Sequence, residues 1–266
     1  MKITMLGTGN ALVTECYNTC FIMEEDGKYL LVDGGGGNEI LRRLKKIGVG
    51  ITDIRDIFVT HKHVDHIMGI IWMVRMICQN MVAGKYEGDA TIYACQEVVD
   101  IIRDFSRQVL AGKQIKMIDS RLHFVVVEDG DVKNIIGHDV QFFDIMSTKA
   151  TQFGFSMQME DCKFVCCGDE PYNAECEKYV KGCKWLMHEA FCLYGEADEF
   201  KPYEKHHSTV KDACELAEGL GVENLIIYHT EDKNIKNRKE MYSDEGKKYY
   251  TGNLFVPDDF EVITVE

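Results

Sequence analysis

Residues 60–69 read THKHVDHIMG, and within them His61, His63, Asp65 and His66 fall in six positions. Imidazole nitrogen and carboxylate oxygen suit zinc, iron or manganese. The spacing is i, i+2, i+4, i+5. A helix does not point i, i+2 and i+4 the same way, whereas an extended loop does, because its alternate side chains share a face. The expectation is a loop at a strand end. His61, His63 and Asp65 would converge there, with His66 to one side, as two half-sites on one loop. The apolar stretch DIFVT precedes the cluster, and Ile67, Ile70, Ile71, Val74 and Ile77 follow it at helical spacing. A surface loop carrying histidines by chance would not be pinned between two core elements.

Working outward, the 266 residues are 45% hydrophobic and 28% charged, the profile of one globular domain spanning 1–266. No apolar run approaches the ~18–20 residues of a membrane span. The start, MKITMLGTGN, lacks the apolar core of a secretory signal, so a cytoplasmic location is expected. Eleven cysteines, an odd number without zinc-ribbon spacing, read as reduced core thiols. The net charge of -14 gives no general attraction for nucleic acid, whose phosphates are gripped by Lys and Arg.

Along the chain, strands and helices alternate. CFIMEED and KYLLVDGGGG read as a hairpin with EDGK at its tip. Ile40, Leu41, Leu44 and Ile47 form a helical stripe stopped at Gly48. Later strands are VQFFDI, FGFSMQME, KFVCCGD, KWLMHEA and NLIIYH, with a helix over Ala213, Leu216, Ala217 and Leu220. The pattern predicts two layers of largely antiparallel sheet with helices outside them. Asp169 in CCGDE and His229 in LIIYHTED stand at strand ends, where sites are usually built. Both have the chemistry to complete a metal shell. DGGGG at 33–37 lacks the following Lys-Ser/Thr of a P-loop.

HKHVDH, the GD at 168–169 and a strand-terminal His229 resemble the metallo-β-lactamase fold hydrolases. HEAF (188–191) and HSTVKDACELAEGLGVENLIIYHTED (207–232) narrow the resemblance to the ribonuclease Z branch, over essentially the whole chain. The resemblance implies a four-layered αββα sandwich with metal at one edge. One ion would take His61, His63 and a third His, and the other Asp65, His66 and His229, with Asp169 bridging. Asp33 would buttress the metal loop, and His188 would support from outside the shell. The implied cofactor is zinc, one or two ions, with manganese or iron as alternatives. A homodimer is implied only by the family.

The pattern breaks in DIMSTKATQFGF, where Met146 occupies the expected third-His position. Thioether is a poor donor for zinc or manganese. The His61/His63 site is therefore expected to be the weaker one. A second departure is the absence of the long basic arm that ribonuclease Z carries between the third His and the GD motif. The implied chemistry is phosphodiester hydrolysis by a metal-activated water. Asp65 would orient the water, and His207, held by Glu189, would protonate the leaving oxygen. His206 is its neighbour and a competing candidate. Lys149, Lys201 and Lys205 are candidate phosphate contacts. Thr209 with Asp212 reads as a helix cap. Three further readings remain at this point. They are a tRNA 3′-processing endonuclease proper, a hydrolase of a small molecule (a cyclic nucleotide or a lactone), and a degenerate metal-binding regulatory protein.

Overall fold

The computed structural model describes residues 1–266. One seven-stranded sheet has the order β14-β1-β2-β3-β4-β5-β6. Its strands are β1 (Lys2–Gly7), β2 (Cys20–Glu25), β3 (Lys28–Val32), β4 (Asp56–Phe58), β5 (Ala90–Ala94), β6 (Leu122–Val126) and β14 (Val262–Thr264). The other has the order β13-β12-β11-β10-β9-β8-β7. It comprises β7 (Val132–Ile135), β8 (His138–Asp144), β9 (Phe153–Gln158), β10 (Lys163–Cys166), β11 (Trp185–Glu189), β12 (Asn224–Tyr228) and β13 (Asn253–Phe255).

The helices are α1 (Glu39–Lys46), α2 (Val64–Val82), α3 (Gln96–Val109), α4 (Gly112–Ile115), α5 (Glu177–Val180), α6 (Ala197–Phe200), α7 (Val210–Leu220) and α8 (Arg238–Gly246). α1 and α3 contact strands of the first sheet, and α7 and α8 those of the second, so the expected αββα layering is present. None of the helices is long and apolar enough to cross a membrane.

The expectation of largely antiparallel sheets is corrected. Six of the twelve strand pairings are parallel and six antiparallel. The parallel pairs arise wherever a helix intervenes between strands, since such a crossover returns the chain in the same direction. β3 to β6 and β10 to β13 are the two parallel runs. The carboxyl ends of their strands feed the loops carrying Asp33, His61, Asp169 and His229. The antiparallel parts are the hairpins read from the sequence, and Asp26 and Gly27 both have positive φ at the EDGK tip, as a tight hairpin turn requires.

Alternation along the second sheet sorts its side chains into two cores. Phe142, Trp185, Met187, Ile226 and Tyr228 join the large cluster between the sheets. Phe143, Leu186, Leu225 and Ile227 face the outer cluster with α7. Across the central layer, Phe58 of β4 packs against Phe142 at 4.9 Å and edge-on against Phe155 at 5.7 Å. Such aromatic pairs add about 0.5–1.5 kcal/mol beyond their area burial. All eleven cysteines are free, and ten are buried.

The glycine run after β3 has a packing cause. A Cβ on Gly69 of α2 would lie 1.8 Å from the Gly34 carbonyl oxygen, and one on Gly34 would lie 2.5 Å from the Ile70 amide. Gly34 N donates to His66 O, and Gly69 N donates to Gly35 O, both at 2.9 Å. The β3–α1 loop thus lies directly against the first turns of α2, the helix that bears the metal motif. Gly69→Ala should cost about 2 kcal/mol or more through overpacking, read from urea unfolding. Gly37→Ala, where a Cβ meets nothing within 4 Å, is the matched control.

Candidate metal centre

The loop after β4 carries His61 and His63, and α2 begins at Val64 with His63 as its N-cap. Asp65 and His66 therefore sit on the first helical turn rather than on an extended loop. The i, i+2 argument holds for His61 and His63 only. A carboxylate in the first turn is also favoured by the helix dipole.

Buried Asp33, with φ 58°, accepts from the Thr60 amide at 2.8 Å and the Thr60 hydroxyl at 2.7 Å. Its second oxygen is also 2.7 Å from His66 Nδ1, which leaves Nε2 of His66 to face the centre. Thr60 O in turn accepts from Phe153 N at 3.0 Å, tying this loop to the second sheet.

Asp169 follows β10, and His229 follows β12 with φ 60°. Asp169 Oδ2 lies 3.5 Å from His61 Nε2, 3.3 Å from His66 Nε2 and 3.4 Å from His229 Nε2. Asp65 Oδ2 is 3.3 Å from His66 Nε2 and 3.7 Å from His229 Nε2. His61 Nε2 and His63 Nδ1 are 2.8 Å apart. Two donor groups result, His61/His63/Asp169 and Asp65/His66/His229. Asp169 faces both.

These residues fit a metal. A tetrahedral ion with ~2.0–2.1 Å bonds separates its ligand atoms by about 3.3 Å. Buried His66 Nε2 and both ring nitrogens of His229 have no hydrogen-bond partner. The electrostatics agree. Burial would raise Asp65 and Asp169, yet the surrounding histidines hold both carboxyls well below the usual range. Burial would lower His66, but Asp33, Asp65 and Asp169 push it well above its ordinary value. The carboxylates demand positive charge at this point, and a cation meets that demand. His61 is different: burial drives it down to about 3, leaving the neutral imidazole that ligates.

Met146 does not join the cluster. It is 43% exposed, has φ 60°, and lines a neighbouring cavity. Residues 146–151 bulge out, closed by Ile145 N donating to Gln152 O at 3.0 Å. The residue that this segment returns to the centre is Gln152, which sequence reasoning missed. It is buried, and its amide donates to Asp169 Oδ1. Nothing in its sequence setting marks it. His138 lines a different cavity with Met1 and Val265 and does not reach the cluster.

Beside the metal residues lies a third group, Glu189, His207 and His229. His207 Nδ1 is 3.5 Å from Glu189 Oε2, and neither atom has a hydrogen-bond partner. The Ser208 amide donates to the other Glu189 oxygen. The His207 ring stacks on Phe191 at 5.0 Å and 16°. His206 points elsewhere, with Nδ1 3.1 Å from Thr148 Oγ1. His188 faces away from Glu189 along β11 and is held between the Tyr172 amide, 2.9 Å from Nε2, and the Glu189 carbonyl, 2.7 Å from Nδ1. Burial lowers its pKa, so its ring is neutral. Thr209 and Asp212 form the expected capping box at α7.

A cavity of about 630 Å³ opens over the centre, lined by Asn10, Leu12, Lys62, Lys149, Lys205 and His207 among others. Lys201 is outside it and pairs with Asp198 at 3.8 Å. Lys62, also missed from sequence, pairs with Glu97 at 2.5 Å at the rim.

The profile of the family described as Anti-Pycsar protein Apyc1 matches residues 1–248. Ribonuclease Z of Methanococcus aeolicus is 23% identical, covering 100% of this chain and 95% of its own. The metallo-β-lactamase fold protein YhfI of Bacillus subtilis superposes with TM-score 0.78 at 15% identity, covering 98% of both chains. Human tRNase Z, short form, does so with TM-score 0.73 at 19% identity, covering 100% of both. These structures share the fold. Asp33→Asn should weaken metal binding by about 10- to 100-fold, as loss of a partner that orients a ligand does. Calorimetric titration of zinc into chelator-treated protein checks this.

Proposed function

The chain belongs to the Anti-Pycsar protein Apyc1 family and is a metal-dependent hydrolase resembling ribonuclease Z, and from that premise we propose that it is a phosphodiesterase. The observation that carries the reading is the Glu189–His207 pair beside the donor cluster, with its facing atoms otherwise unpartnered. An alkoxide leaving group needs a proton, and a placed imidazole supplies it.

A bound divalent cation, zinc by donor preference with manganese or iron as alternatives, supplies a water of lowered pKa and an electrophile for phosphoryl oxygen. Asp65, His66, His229 and Asp169 would hold one ion, and His61, His63 and Asp169 the other with one donor fewer, which would make it the more weakly held. Gln152 fixes Asp169 from the side away from the histidines. Asp65 orients the attacking water. Glu189 holds His207 turned so that its remaining nitrogen serves the leaving oxygen. Lys149 and Lys205 neutralise substrate charge at the rim.

A small phosphodiester such as a cyclic nucleotide suits this site better than tRNA. The chain between Met146 and Asp169 holds only β9 and β10, with no arm, and the net charge is -14. The lactone reading loses ground because the HEA and HST segments that carry Glu189 and His207 resemble the ribonuclease Z branch. The donor set, short of one ligand yet accompanied by Glu189 and His207, speaks against a purely regulatory protein. A cytoplasmic location and, from the family resemblance alone, a homodimer remain part of the proposal.

His207→Ala should lower turnover of a cyclic nucleotide by about 10²- to 10⁴-fold. It should affect bis(p-nitrophenyl) phosphate far less, because p-nitrophenolate departs without a proton. Equal losses on both would remove His207 as the acid. Wild-type protein inactive on both esters with added Mn²⁺ or Zn²⁺ would remove the hydrolase reading. In stepwise chelation followed by elemental analysis, one ion per chain should leave well before the second. Simultaneous release would contradict unequal sites.

A further inference from the structure

Asp169 is the carboxylate that faces both donor groups, so whatever fixes it bears on both. It stands in the turn after β10, directly behind Gly168, whose φ is 78°. Tyr228 reaches that turn from β12. It is the last residue of the strand, the neighbour of His229, and buried between the sheets. Its hydroxyl donates to the Gly168 carbonyl oxygen. We propose that Tyr228 is a positioning residue of the metal centre. Together with Gln152 it clamps Asp169 in place ahead of metal binding, and the three-donor site His61/His63/Asp169 depends on that clamp more than the other site does. The proposal rests on the metal-dependent part of the hydrolase reading and not on the choice of substrate.

The two holds act on different parts of one residue. Tyr228 fixes the peptide that leads into Asp169, and Gln152 fixes the carboxylate by donating to Oδ1. Oδ2 is left facing Nε2 of His61, His66 and His229 at 3.5, 3.3 and 3.4 Å. The hydroxyl is itself oriented. Cys166 Sγ lies 3.6 Å from Tyr228 Oη, and burial pushes that thiol up to about 11. The thiol therefore keeps its proton and donates it to the tyrosine oxygen, whose own proton goes to Gly168. Glycine at 168 is required by both holds. A Cβ there would lie 2.5 Å from Gln152 Nε2, and the left-handed backbone disfavours any other residue. Because Tyr228 adjoins His229, one hydroxyl ties the strand end bearing one ligand to the turn bearing another. A ligand fixed in advance has little ordering left to lose when it binds. Asp169 is one of four donors at one site. At the other it is one of three, and Met146 stands exposed outside the cluster, so misplacing Asp169 weighs more there.

The test titrates zinc calorimetrically into chelator-treated protein. Tyr228→Phe removes the hydroxyl alone. It should weaken the more weakly held zinc about tenfold or more, the loss expected when a ligand's orienting partner is removed, and the other zinc less. Where a single zinc binds, that step should show the tenfold loss. Tyr86→Phe is the matched control. Tyr86 is likewise buried, and its hydroxyl donates to the carbonyl of Ile54, ahead of β4 and so at the opposite end of that strand from His61. It should lower the unfolding temperature without moving zinc affinity. Cobalt(II) in place of zinc gives visible bands that report ligand geometry, and these should shift in Tyr228→Phe and stay put in Tyr86→Phe. Gln152→Leu should weaken zinc as Tyr228→Phe does. The double variant should lose less than the product of the two single losses, because both act on one carboxylate. Zinc affinity and cobalt bands unchanged in Tyr228→Phe would reduce the hydroxyl to a packing role and overturn the proposal. A double variant that loses the full product would overturn the shared clamp, and equal weakening of two zincs the greater dependence of the three-donor site. Wild type that takes up no zinc ends the metal-dependent reading itself, whereas uptake indifferent to both substitutions ends the clamp alone.

Discussion

The site depends on one buried carboxylate. Asp33 is held at positive φ at the end of β3, and it ties together the Thr60 amide, the Thr60 hydroxyl and His66 Nδ1. A buried charge of this kind is tolerable only when fully hydrogen-bonded. Satisfying it fixes the start of the His61–His63 loop and the tautomer of His66 together. The Gly34–Gly69 contact then sets how closely the β3–α1 loop lies on α2. Because Thr60 O also accepts from Phe153 N, the same small group joins the two sheets at the edge where the metal residues meet. The glycine-rich run after Asp33 serves this close approach of backbones and needs no phosphate to explain it.

The centre concentrates the same sign of charge that the whole protein carries. The chain carries -14 overall, and its centre adds Asp33, Asp65, Asp169 and Glu189 within buried surroundings. Such a group of carboxylates is stable only with cations among it, and the histidines provide either protons or the nitrogen donors that a metal replaces them with. An anionic substrate approaching such a protein needs local positive charge. The rim offers Lys62, Lys149 and Lys205, of which Lys62 and Lys149 pair with Glu97 and Glu170. Lys205 instead lies over the Phe191 ring at 5.0 Å, next to the ring on which His207 stacks. Of the three rim lysines, Lys205 is thus the one set over an aromatic ring rather than against a carboxylate.

Much of this was legible in the sequence because the relevant residues sit at strand ends, where apolar runs stop and ligand-type residues begin. His61, Asp169, Glu189 and His229 are all of this kind. What was not legible depended on tertiary placement. Asp65 and His66 are helical because α2 starts at Val64, three residues before the Ile67 at which the apolar stripe begins. The parallel half of each sheet follows from crossovers through helices that the residue pattern does show, α1, α2 and α7 among them; the pattern does not show which strands they bring side by side. Gln152 carries no motif. A glutamine between β8 and β9 reads as loop polarity until the fold brings it against Asp169.

Met146 shows how a motif gap misleads when the backbone is unknown. Counting back from the Gly-aromatic pair places Met146 where a ligand belongs, which assumes a straight run into β9. The chain instead leaves β8 and turns left-handed at Met146, with its amide bonded to Asp144 Oδ1 at 2.8 Å. It rejoins through Gln152. The segment thus does three different jobs. Met146 and Thr148 line the neighbouring cavity, Lys149 reaches the cleft rim, and Gln152 orients the bridging carboxylate. A straight run into β9 would bring position 146 towards the donor cluster; the left-handed turn at Met146 and the closure of Ile145 on Gln152 instead leave its side chain exposed outside that cluster, so the motif position and the spatial position part company within six residues.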